Sequence, residues 1–122
     1  MTEISEQKKM ESIYSYQSTI RKMEKALAGM EKKGSDIKLI RRRLESVRIG
    51  LAALEYAWSD QALSYHPEEM KEAREVLSKL LPSMDSAYLK AKEGSPQRTL
   101  LERRILSFKQ SMEIIDDLIR KY

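Results

Sequence analysis

The chain has 122 residues, enough for one domain with a single modest core and too few for two. It has no cysteine, which excludes thiol catalysis, disulfides and cysteine-based zinc sites. Apolar residues make up 41% and charged residues 34%, the balance of a helical protein with a solvated exterior, and a net charge of +4 does not by itself argue for nucleic acid.

The segment Met1-Thr-Glu-Ile-Ser-Glu-Gln-Lys-Lys places acids before bases and has no apolar stretch, so it does not read as a signal peptide. No apolar run is long enough to cross a bilayer, and the expected location is cytoplasmic. The first predicted helix covers about 4–33, with Ile13, Ile20 and Leu27 seven residues apart and Tyr16, Met23 and Met30 interleaved. Gly34-Ser35-Asp36 supplies a left-handed stop and then a capping residue. A second helix over about 36–60 carries the rows Ile37, Leu44, Leu51, Trp58 and Ile40, Val47, Leu54. After a polar turn from Ser59 to His66, Pro67 opens a third helix over about 67–93, with Glu68 and Glu69 suited to its positive end. Its stripe is Met70, Leu77, Met84, Ala91 with Ala73, Leu80 and Ala87; Pro82 within it predicts a kink or a break near Leu81. Gly94-Ser95-Pro96 marks the next turn, and Leu101, Phe108, Ile115, Tyr122 with Ile105, Met112 and Ile119 give a fourth helix over about 96–121. Four such stripes predict an all-α fold, an antiparallel up-down-up-down four-helix bundle forming a single domain over 1–122.

Helices two and four are alike. Leu39-Ile-Arg-Arg-Arg-Leu-Glu-Ser-Val-Arg aligns with Leu100-Leu-Glu-Arg-Arg-Ile-Leu-Ser-Phe-Lys, and Met23-Glu-Lys-Ala more weakly with Met84-Asp-Ser-Ala. A duplicated helical hairpin explains this, and so does convergence of two amphipathic helices.

The topology sorts the charges. Residues 21–43 hold nine Lys/Arg against three acids and residues 88–104 hold five against two, a net +9 that leaves −5 for the remainder. Lys32, Lys33, Lys38, Arg41, Arg42, Arg98, Arg103 and Arg104 form a candidate surface for a polyanion or an acidic partner; the plainer reading is a solvated face. The opposite end collects Tyr14, Tyr16, Tyr56, Trp58, Tyr65, Tyr122 and the single histidine, His66. Of these, Tyr14, Tyr56, Trp58, Tyr65 and His66 form a candidate docking surface, or alternatively a plug that closes the bundle. Aromatics at the end away from the bases weaken the case for nucleic acid, whose binders interleave the two.

One histidine cannot build a ferritin-like dimetal centre. Ser64, His66 and Asp60 share one turn without a nucleophile elbow, and there is no glycine-rich phosphate loop. Glu68-Glu69-x-x-Glu72 followed by Glu113-x-x-Asp116 resembles the carboxylate pattern of the MazG-like nucleotide pyrophosphatases, which implies magnesium held by those acids. The chain departs from that family in a longer gap between the motifs and in lacking its downstream Lys/Asn motif. Trp58-Ser59-Asp60 is similar to the turn of the small WXG-type secreted hairpins, with Asp60 in place of glycine and four helices instead of two.

The expected function is a non-catalytic helical interaction module that regulates or scaffolds another protein, with no cofactor and no metal. Homodimerisation is a further expectation, because Leu39, Ile49, Leu106, Ile114 and Leu118 broaden the apolar stripes. The alternatives are nucleic-acid binding through the basic pole and a MazG-like magnesium-dependent pyrophosphatase.

Overall fold

A computed structural model describes residues 4–121, and their secondary structure is four helices packed as a bundle. These are α1 Glu6–Lys33, α2 Lys38–Ser59, α3 Pro67–Lys90 and α4 Pro96–Arg120. None is long and apolar enough to cross a membrane.

Local chemistry sets the ends. Ser5 accepts the Lys8 N–H at 3.2 Å and Ser95 accepts the Arg98 N–H at 3.2 Å, so each hydroxyl satisfies one of the amides a helix start leaves unpaired. At α3 the Glu69 carboxylate accepts the His66 backbone N–H at 3.0 Å. α1 stops at Gly34, whose φ of 71° lets Ser35 donate back to the Met30 carbonyl at 3.0 Å.

Two boundaries differ from the sequence reading. Asp36 does not cap α2: its carboxylate accepts the Lys38 N–H at 3.0 Å, Ile37 holds the cap position, and the helix begins two residues late. α3 ends at Lys90, three residues early, with Gly94 at φ 80° in the following turn. Of the kink or break expected near Leu81, the break does not form, since α3 runs through Pro82 as one helix. Pro82 is exposed, so water can reach the carbonyl that its missing N–H leaves unpaired. Asp60, which ends α2, is the one non-glycine with positive φ among the described residues, at 56°.

The helices do not meet as four equal neighbours. α2 and α4 each pack against all the others, whereas α1 and α3 do not pack against each other. Residues 61 apart play the same part: α1 and α3 start at Glu6 and Pro67, and α2 and α4 end at Ser59 and Arg120. The core repeats at the same interval, with Tyr16 and Leu77, Val47 and Phe108, and Leu54 and Ile115 all buried. Even the ion pairs between hairpins repeat. Arg42 meets Glu72 at 3.1 Å, and Arg103, 61 residues after Arg42, meets Glu11, 61 before Glu72, at 3.2 Å. The 61-residue interval seen in the aligned strings therefore extends to buried positions and to this pair of contacts.

Tyr16 joins α1 to the central pair, meeting Gly50 on α2 and Phe108 and Ser111 on α4. Tyr16 is fully buried and stacks on Phe108, with ring centroids 5.1 Å apart and planes 16° from parallel. Ser111 donates its single proton to the Phe108 carbonyl at 2.9 Å, so in the Tyr16–Ser111 contact the tyrosine is the donor. Gly50 makes room for the ring, since a Cβ there would lie 2.8 Å from Tyr16 Cζ. Each large apolar side chain buried in this cluster contributes about 1.5–3 kcal/mol.

Candidate functional sites

Burial is uneven along the outer helices. α1 has no buried residue after Thr19 and α3 none after Leu77, so their later turns flank the central pair without closing over it. Between them lies a cleft of about 640 Å³, within the roughly 300–1,000 Å³ range of small-molecule sites. The buried Val47 and Phe108 lie deepest in it, with the half-buried Met23 and Met84 nearer the surface. Each of those pairs is 61 residues apart, and so are the two guanidiniums of the lining, Arg43 and Arg104.

The two arginines are not equivalent. Arg43 is exposed, whereas Arg104 is half-buried and its Nε is sealed from water with no hydrogen-bond partner. Burial lowers the pKa of Arg104 from its ordinary value, and no carboxylate among the described residues reaches ion-pair distance of it. An unmet buried donor of this kind costs about 1–3 kcal/mol. The one acid in the lining, Asp36, is engaged with the Lys38 amide.

The eight basic residues singled out from the sequence differ in their surroundings. Lys32, Lys33, Lys38 and Arg41 are exposed and form no ion pair among the described residues. Arg42 and Arg103 are tied to Glu72 and Glu11 in opposite seams, and Arg98 lies over the Tyr88 ring, 4.3 Å from its centroid. Only Arg104 of the eight lines the cleft, and its counterpart there is Arg43, which belongs to the same basic run but not to the eight. The aligned Arg-Arg strings of α2 and α4 held the signal, because Arg43 and Arg104 occupy the same place in both.

The aromatic set also divides. Tyr16 belongs to the core, and Tyr122 lies outside the described residues. Tyr14 and Trp58 share a groove of about 340 Å³ with Met10 and Ile13. Met10 is 70% exposed and Tyr14 62%, and the Arg21 guanidinium lies 5.8 Å from the Tyr14 ring centroid. Tyr56 is exposed elsewhere, and Tyr65 and His66 do not line that groove. Burial pushes the Tyr65 hydroxyl pKa up, with Glu45 and Glu69 adding to the shift and Arg48 opposing it.

Three of the five carboxylates that resemble the MazG-like pattern, Glu69, Glu72 and Asp116, are engaged within the chain. Glu72 pairs with Arg42, and Asp116 takes a two-pronged contact from Arg74, at 2.9 Å from Nε and 3.3 Å from Nη2. Glu113 is exposed, and among the described residues no three acidic or histidine side chains gather where they could hold a metal ion. Of the residues expected to broaden the apolar stripes, Ile49 and Leu118 are buried and Ile114 packs against the core. Leu39 and Leu106 stay exposed. Compared with protein-family models, curated proteins and solved structures, the chain finds no match among any of the three.

Proposed function

We propose that this protein is a non-catalytic helical interaction module that regulates or scaffolds another protein, docking through the groove of Met10, Tyr14 and Trp58. The observation that carries this reading is the coincidence of exposed apolar area and shape: the two most solvent-facing of these side chains border one groove beside a half-buried tryptophan. Tyrosine, tryptophan and methionine are enriched where proteins dock, because they add large contact area at small conformational cost. The pairing of Glu72 and Asp116 with arginines supports the non-catalytic side of the proposal. Affinity capture from native lysate, with and without nuclease, tests it. A specific partner should survive nuclease and be lost from the double variant Met10→Asp, Tyr14→Asp, whose helical circular dichroism stays unchanged. Retention by that variant overturns the assigned surface. Sedimentation at two concentrations shows in parallel whether a second copy is the partner.

A second reading, polyanion binding, is favoured by the unpaired Lys32, Lys33, Lys38 and Arg41 and by an arginine stacked on a tyrosine at the same turns. It requires DNA or RNA binding that weakens steeply with salt and falls on Lys33→Glu with Arg41→Glu. No binding to a panel of both at low salt eliminates it.

A further inference from the structure

We propose that the cleft between α1 and α3 binds a single-chain amphipathic anion, a free long-chain carboxylate whose headgroup is held by Arg104 and Arg43 and whose tail lies along Met23, Met84, Val47 and Phe108. This goes beyond the docking proposal and does not rest on it, because the Met10–Tyr14 groove shares no residue with the cleft.

Three features select this chemistry. First, the cleft is lined chiefly by carbon, which suits an apolar body and disfavours a sugar, a nucleotide or any ligand charged along its length. Secondly, the charge offered is positive and local. It comes from two arginines 61 residues apart, and the single acid of the lining is already bonded to the backbone. A guanidinium presents Nε and one Nη as a fork that fits both oxygens of a carboxylate. Arg104 is half-buried in the lining and has no carboxylate at ion-pair distance among the described residues, so its charge there is left without a counter-ion from the chain. Thirdly, methionine provides unbranched, adaptable walls that conform to a linear chain.

Titration calorimetry of the whole chain with dodecanoate below its micelle point tests the site, with dodecanol and dodecyltrimethylammonium as neutral and cationic probes of equal length. The expected result is saturable binding at one site per chain, weakening about fourfold for each methylene removed through decanoate to octanoate. The alcohol should bind at least tenfold more weakly than the carboxylate, and the cation not at all. Arg104→Met, close in length and apolar, should lower dodecanoate affinity at least tenfold while leaving dodecanol unchanged. Met23→Trp, which fills the cleft from a half-buried position, should block both. Equal affinity for carboxylate and cation, or dodecanoate binding untouched by Arg104→Met, overturns the headgroup assignment. Absence of saturable binding overturns the ligand altogether. In that event a partner captured from lysate that cross-links at residue 84 makes the cleft a protein groove, and one that cross-links only at residue 14 leaves the docking proposal intact.

Discussion

The two hairpins share a scaffold and differ at its centre. Where the first hairpin carries Tyr16 and Gly50, the second carries Leu77 and Ser111 in the equivalent places. The pairs interlock between the hairpins: Tyr16 fits over Gly50 of its own hairpin and bonds Ser111, 61 residues after Gly50, in the other. A side chain too large for a symmetric core is accommodated because one hairpin gave up a Cβ and the other supplied an acceptor.

Gly50→Ala tests that interlock most severely. Mid-helix alanine ordinarily adds about 1 kcal/mol over glycine. At residue 50 the new methyl meets the Tyr16 ring, at 2.8 Å from Cζ, and the ring is stacked on Phe108 and cannot withdraw freely. The net effect should be a loss of about 2 kcal/mol, readable as a lower urea midpoint with an unchanged slope. Gly29 sits in α1 with nothing within 4 Å of its missing Cβ, and there alanine should stabilise by about 0.5–1 kcal/mol. If both substitutions moved the midpoint the same way, the contrast between the closed centre and the open end would fail.

A second effect of the interlock is sensitivity to alkali. Burial raises the Tyr16 pKa far above that of an exposed tyrosine, and the Ser111 bond offsets part of the shift. A group whose folded pKa is raised keeps its proton in the native state after the unfolded chain has lost it. Its contribution is therefore complete below the unfolded value of about 10 and declines above it by about 1.4 kcal/mol per pH unit. Tyr16→Phe keeps the ring and removes the titration, so the difference in stability between the wild type and this variant should shift steadily in favour of the variant from pH 10 to pH 12. A constant difference over that range would mean that Tyr16 is not sealed. The second hairpin offers no parallel effect, since Leu77 does not titrate.

The architecture was readable because each helix carries one apolar stripe and its stops are chemically explicit, as at Gly34, Ser95 and Pro96. Heptad spacing says which face is buried but not against what, so it did not reveal that α2 and α4 form the central pair. Met23 and Met84 fall on the stripe like any core residue, and only the separation of α1 from α3 makes them walls of a cleft. Tyr16 falls on the apolar stripe of α1 and its burial is legible there; the pocket that receives it is not, because it depends on Gly50 and Ser111, one on α2 and one on α4. Pro82 reads as a breaker locally, yet one lost hydrogen bond at an exposed position does not outweigh the helix on either side.

The smallest effect bears most directly on the duplication. The pairs Arg42–Glu72 and Arg103–Glu11 are the same contact made twice, so double-mutant cycles on each should give couplings of one sign. Both arginines are about half exposed, and exposed pairs are worth about 0.2–1 kcal/mol. The acids differ: the Glu72 side chain is 57% exposed and that of Glu11 21%, so water screens the first pair more. The Arg103–Glu11 coupling should therefore be the larger, and it should lose less when salt is raised from 0.05 to about 0.5 M. Equal couplings with equal salt dependence would make the two seams interchangeable. A coupling in one seam only would show that the repeat survives in the backbone but no longer in the forces that join its halves.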